Sequence, residues 1–216
     1  RIEHENVLST PLLVENGSLI KYDMVMANFP FSMEWKKSIV QNDKYDRFSL
    51  CHPPKNYADF LFIQHIFSIL TDTGRAAIIA SQGVLYRGGD EEKIRKYLVD
   101  NDFLDGIISL PSNLFYGTGI PACIFLLNKK KPYSRKNKIT FIYAAKEFLE
   151  IDKKSLLDEN HIKKIVSTFK KSKNIDGYCH ITNIDEIKFN DYNLNVPRYV
   201  DTIDSEVPIN IKKTIT

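Results

Sequence analysis

The sequence predicts an α/β fold with a mostly parallel sheet. Short apolar runs alternate with amphipathic stretches of helical length between residues 24 and 144. The runs lack the polar alternation of half-exposed strands, so they read as strands buried on both faces. Pro, Gly and Asn clusters separate them, at the short spacing of α/β connections.

The elements follow in order. Residues 1–22 are loop-like, broken by Pro11 and Asn16-Gly17. Met24-Val25-Met26-Ala27 is a short strand that stops at Asn28-Phe29-Pro30-Phe31. Residues 34–56 are polar and aromatic without periodicity, and Pro53-Pro54 closes them. Residues 58–70 carry a broad apolar helical face, stopped by residues 71–74. Residues 76–80 form a second strand. Residues 90–100 form a helix with Ile94, Tyr97 and Leu98 on one face. Residues 104–110, 122–128 and 139–144 give three more strands, the first two joined by a Gly-containing segment as an antiparallel hairpin at the sheet edge. Residues 160–171 form a basic amphipathic helix with Ile162, Ile165, Val166 and Phe169 on its apolar face. The pattern changes near residue 150, which divides a domain over 1–150 from a C-terminal helical extension over 151–216.

Composition excludes several classes. The 216 residues carry a formal charge of +3, from 30 basic and 27 acidic side chains, too mild to demand or forbid a nucleic-acid partner. No run of 18 apolar residues offers a membrane span, and no leader opens the chain, so a cytoplasmic protein is expected. Cys51, Cys123 and Cys179 are odd in number and far apart, and nothing has metal-ligand spacing. His65, inside the apolar helix, reads as a satisfied core residue. Residues 129–138 hold five lysines and one arginine, expected as a solvated turn, with a phosphate-facing patch as the second reading. Trp35 with Lys36-Lys37 fits a DNA-facing loop and a plain surface loop equally. The one Gly-x-Gly, Gly117-Thr118-Gly119, precedes a strand instead of linking strand to helix, so no glycine loop stands in nucleotide-binding context.

The tetrapeptide Asn28-Phe29-Pro30-Phe31 carries chemistry. It follows a buried strand, and open α/β sheets bind ligands beyond the carboxyl ends of their strands. The Asn28 side-chain oxygen and a neighbouring backbone carbonyl can accept both protons of an exocyclic amine. Pro30 restricts Phe29 to extended backbone, and Phe31 can stack on a base drawn out of a duplex. Loop punctuation with a core aromatic is the competing reading.

The strand plus Asn-Phe-Pro-Phe resembles the Asn-Pro-Pro-Phe/Tyr motif of amino-group methyltransferases, with Phe29 replacing the first Pro. Further blocks resemble modification (M) subunits of type I restriction–modification systems. They are Ala58-Asp59-Phe60-Leu61-Phe62-Ile63-Gln64-His65, Gly83-Val84-Leu85-Tyr86-Arg87-Gly88, Ile94-Arg95-Lys96-Tyr97-Leu98, the segment from Leu110 through Pro121, and Asn193-Leu194-Asn195-Val196-Pro197-Arg198-Tyr199. The similarity runs collinearly from about residue 3 to about residue 208.

That resemblance implies an incomplete Rossmann-like S-adenosylmethionine-dependent methyltransferase fold that methylates adenine N6 in DNA. The implied partners are DNA, a specificity (S) subunit, a second M subunit and a restriction (R) subunit. The implied catalytic residues are Asn28, Phe29, Pro30 and Phe31. Asn6, in Glu5-Asn6-Val7-Leu8, and Asp59 are candidates to face the cofactor, Asp59 being equally explained by the helix dipole. Arg87, flanked by Gly88 and Gly89, is a candidate phosphate contact or an exposed loop arginine. Phe115 and Tyr116 are candidates to pack beside the extruded base, with core packing as the alternative for Phe115. The chain is expected to begin just after the family's glycine-rich cofactor loop. Two other readings stay open: a non-catalytic assembly or DNA-binding fragment, and a methyltransferase acting on glutamine in protein.

Overall fold

The computed structural model describes residues 2–202. The chain opens with a small ribbon of β1 (Val14–Glu15) and β2 (Ser18–Leu19), followed by β3 (Tyr22–Asn28). Next come α1 (Ser38–Gln41), α2 (Asp59–Ser68), β4 (Leu70–Ser81) and α3 (Asp90–Asp100). Then β5 (Leu104–Ser109), β6 (Ala122–Asn128) and β7 (Lys138–Tyr143) are followed by a second ribbon, β8 (Leu149–Ile151) with β9 (Lys154–Leu156). Finally come α4 (Glu159–Lys171), β10 (Cys179–Asn183) and α5 (Ile184–Phe189).

The central sheet has the order β10-β7-β5-β6-β4-β3. β3 pairs parallel with β4, and β5 parallel with β7. β6 runs antiparallel to both β4 and β5, and β10 antiparallel to β7. Four of the six strands therefore share one direction, as the unalternating apolar runs imply. The β5–β6 hairpin is antiparallel as expected, but β6 lies between β5 and β4 rather than outside them. The antiparallel edge is β10.

Two apolar layers sandwich the sheet. On one face lie α2, α3 and residues 194–200, packing Phe60, Leu61, Ile63, Ile94, Leu98, Leu194 and Val196 against Ile78, Phe125 and Phe141. On the other face Ile165 and Phe169 of α4 join Ile108, Ile142 and Tyr178. Ile162 and Val166 of α4 stay exposed, so half of its expected apolar stripe is uncovered. Asp158 caps α4, accepting from the backbone N–H groups of Asn160 and His161 at 2.9 Å.

The helix expected over 58–70 ends at Ser68, and β4 begins before its expected stop signal. Residues 71–74 form a bulge within the strand, because Tyr22 pairs with Leu70 while Met24 pairs with Arg75. Gly74 sits where a Cβ would meet the Tyr22 carbonyl at 2.9 Å, so the bulge closes only around a glycine.

The basic segment 129–138 is a solvated turn in part: Lys130, Lys136 and Lys138 are exposed, but other cations of the segment turn inward. Lys131 is buried against Asp102 at 2.6 Å, and Arg135 pairs with Asp105 at 3.1 Å beneath the Phe169 ring. Lys129 lies over the Phe67 ring. The change of pattern near residue 150 is not a break in packing: β10 joins the main sheet, and the Tyr199 ring stacks on Phe141 at 4.1 Å. No helix among the described residues is long and apolar enough to cross a membrane.

Arg47 ties the N-terminal segment to α2. Its buried guanidinium pairs with Asp43 and donates to the carbonyls of Val7 and Leu8 at 2.8 and 2.7 Å. It also donates to His65 Nδ1 at 3.2 Å, which requires an unprotonated nitrogen there. Burial, and then the Arg47 charge, lower the His65 pKa from 6.5 to about 4. Between those values the unfolded chain binds a proton that the folded chain refuses. Acidification from pH 6.5 to 4 should therefore cost up to about 3 kcal/mol of stability. His65→Gln keeps an acceptor without a titration, so urea unfolding of that variant should lose this part of the pH dependence.

Candidate active site

The site is built where β3 ends. Asn28 is the last residue of the strand, paired with Ile79 of β4, and it is exposed. The chain then turns at once. Phe29 folds inward to 8% exposure and stacks on Phe62 of α2, with ring centroids 4.6 Å apart and planes 10° from parallel. Pro30 is exposed, and Phe31 lies half-buried on the opposite layer. Ser32 reverses the backbone with φ +52°. The Met33 carbonyl accepts from Ala58 N–H at 2.9 Å, clipping the far end of the loop to the start of α2.

Phe31 meets Phe115 edge-on, with centroids 6.2 Å apart and planes at 88°. Phe115 is thus shared between the β3 loop and the β5–β6 connection. It lines a cavity of about 550 Å³ with Leu114, Tyr116, Lys154 and Leu157. The Tyr116 ring is 90% exposed, and the Lys154 ammonium stands 4.2 Å from its centroid. Three of the expected residues, Phe31, Phe115 and Tyr116, are therefore neighbours.

Asp59 and Arg87 turn inward. The Asp59 side chain is fully buried and accepts from Ser81 Oγ at 3.2 Å and from Arg87 at 3.3 Å. Arg87 also pairs with the fully buried Glu91 at 2.6 Å and lies over the Tyr57 ring at 4.2 Å. Gly83 makes room for it, since a Cβ there would stand 1.9 Å from the guanidinium. Burial holds the Glu91 carboxyl above the usual carboxylate range, against the pull of Arg87. Arg95 completes the cluster, donating to the carbonyls of Val84, Arg87 and Tyr192.

A family model described as N-6 DNA Methylase matches residues 1–207. The chain belongs to this family. It is 38% identical over 197 residues to the type I restriction enzyme MjaVIII methylase subunit of Methanocaldococcus jannaschii, covering 88% of this chain and 34% of that protein. It is 36% identical to the MpnII methylase subunit of Mycoplasma pneumoniae, covering 92% and 36%. The crystal structure of a type I restriction–modification methyltransferase subunit from Streptococcus thermophilus superposes with a TM-score of 0.83 at 36% identity, over 92% of this chain and 41% of that one. The chain spans about a third of the length of the curated relatives it matches.

The methyltransferase family and fold imply S-adenosylmethionine as methyl donor. The two residues expected to face it are held by protein partners in this structure. Asp59 has both oxygens engaged, and Asn6 Oδ1 caps the Leu8 N–H at 3.1 Å. Among the described residues no cluster of metal-ligating side chains is present. Sequence reasoning passed over Phe62, Glu91 and Arg95; the available signal for the last two was helical spacing, which puts Glu91 and Arg95 on the buried face of α3 with Ile94 and Leu98. Trp35, read as a DNA-facing candidate, is buried and donates to the Pro54 carbonyl at 3.0 Å.

Arg87→Met leaves two buried carboxylates without their cation. Stability at pH 7 should drop by about 3–5 kcal/mol. Because Glu91 carries a raised pKa, its burial penalty is absent below the unfolded value near 4.5 and grows as pH rises through the folded one. The deficit relative to the parent chain should therefore shrink on acidification, measured by urea unfolding at pH 7 and pH 5.

Proposed function

We propose that this chain supplies the amine-binding half of an adenine-N6 DNA methyltransferase, as part of a type I modification subunit. The observation that carries the reading is the loop geometry: an exposed Asn28 at a strand end, beside a residue whose ring is locked into the core. In this arrangement Asn28 Oδ1 and the Phe29 carbonyl accept the two protons of the adenine amino group. The amine lone pair is left facing outward, toward an electrophilic methyl. Phe31 offers its face to the extruded base, with Phe115 bracing it edge-on. A general base is not required, because the amine can attack first and lose its proton afterwards.

S-adenosylmethionine supplies that methyl when bound. DNA, a specificity subunit, a second modification subunit and a restriction subunit are the partners that go with this reading. Tyr116 and Lys154 belong to its DNA-facing wall. The engaged guanidinium of Arg87 favours a role in holding α2 against α3 over a phosphate contact.

The test is methyl transfer from labelled S-adenosylmethionine to duplex DNA by the assembled enzyme carrying this chain, with a specificity subunit. Label at adenine N6 is the expected result. Label in protein or on cytosine, or none at all, refutes the proposal. Asn28→Ala removes one of two amine acceptors from an exposed position, so kcat should fall by at least about a hundredfold with folding intact. Phe31→Ala should weaken capture of DNA carrying an unpaired target adenine by about 1–3 kcal/mol, the value of one lost stack, measured by fluorescence anisotropy.

A further inference from the structure

Residue 29 occupies an unusual mechanical position. On its N-terminal side, Asn28 is fixed in the parallel ladder against Ile79. On its C-terminal side, Pro30 confines residue 29 to extended backbone. A proline at position 29 would fix φ covalently, but a phenylalanine leaves that torsion soft. The remaining freedom is removed by the ring, which is 8% exposed and stacked on Phe62 at 4.6 Å and 10°. Ring, Cα and carbonyl belong to one residue, so anchoring the ring also sets the direction of the carbonyl.

Phe62 is itself rigidly placed. It lies in the first turn of α2, whose start is clipped by the Ala58–Met33 hydrogen bond. Asp59, three residues earlier, is held by Ser81 and Arg87. An aliphatic side chain at 62 would fill similar space without a planar partner for Phe29.

We propose that Phe62 is a positioning residue for the Phe29 carbonyl, replacing by ring stacking the restraint that proline gives in the Asn-Pro-Pro-Phe/Tyr motif. This rests on the amine-acceptor role proposed above. Phe62 touches no substrate and acts through Phe29.

Hydrogen exchange on the full chain reads the anchoring directly. Phe62→Leu should raise exchange across residues 28–33 by about threefold to tenfold relative to the β5 amides, which report global opening. Phe62→Tyr keeps the stack and should leave the loop at parent rates. Phe29→Leu and the Phe29→Leu/Phe62→Leu double variant should loosen the loop no further than Phe62→Leu alone. An unchanged loop, or an equal rise in β5, overturns the proposal. In the assembled methyltransferase, Phe62→Leu should lower kcat with little change in KM for DNA. A loosened loop with unchanged kcat overturns the positioning role. Absence of transfer by the parent assembly refutes the methyltransferase reading itself, and the exchange comparison then still decides whether Phe62 holds the loop.

Discussion

The buried ionic cluster of Asp59, Arg87, Glu91 and Arg95 is the constraint on which the rest of this structure depends. Its members come from the start of α2, the turn after β4, and α3. Arg95 extends it to the Tyr192 carbonyl in the C-terminal segment. Two carboxylates with fully buried side chains are tolerable only with cations in hydrogen-bonding contact. The cluster therefore fixes how α2 and α3 sit against one another. Through α2 it fixes the platform beneath the β3 loop.

The sheet and the loops divide the work. Parallel pairing of β3 with β4 sets where Asn28 emerges, and the bulge at residues 71–74 lets β4 keep that register after leaving α2. Aromatic contacts then divide the tetrapeptide between two layers. Phe29 goes to the α2 side and Phe31 to the Phe115 side. A loop held on both faces of a sheet cannot swing as a unit, so a small exposed amide at its head keeps a defined direction. The same sheet leaves Met24 and Met26 of β3 exposed, at 55% and 81%. That edge strand is the least covered part of the described sheet.

Much of the fold was legible in the sequence. Most strand and helix runs between residues 24 and 171 have nearly the observed bounds, because apolar runs and helical periodicity are local signals. The expected burial of β3 on both faces is wrong: it is an edge strand, and no neighbour among the described residues covers Met24 and Met26. The start of β4 was not legible: Thr71-Asp72-Thr73-Gly74 has the composition of a turn, and only pairing with Tyr22 and Met24 draws it into a strand. The place of β6 between β5 and β4 was hidden for the same reason, since strand order is a long-range property. In the candidate site, the placement of Asn28 and Phe31 at a strand end was readable from the sequence. Arg87 was not: flanking glycines suggested exposure, yet Gly83 is the glycine that matters, and it admits the guanidinium to buried carboxylates.

The sequence by itself determined the fold class, the family resemblance and the tetrapeptide proposed to bind the amine. These depend on local composition and on motif order along the chain. Only the tertiary structure decided what Asp59, Arg87, Lys131, Arg135 and Trp35 do. Each has a side chain that suits solvent, a ligand or an internal partner equally well. The choice is made by groups far away in sequence: Ser81 for Asp59, Asp102 for Lys131, Pro54 for Trp35.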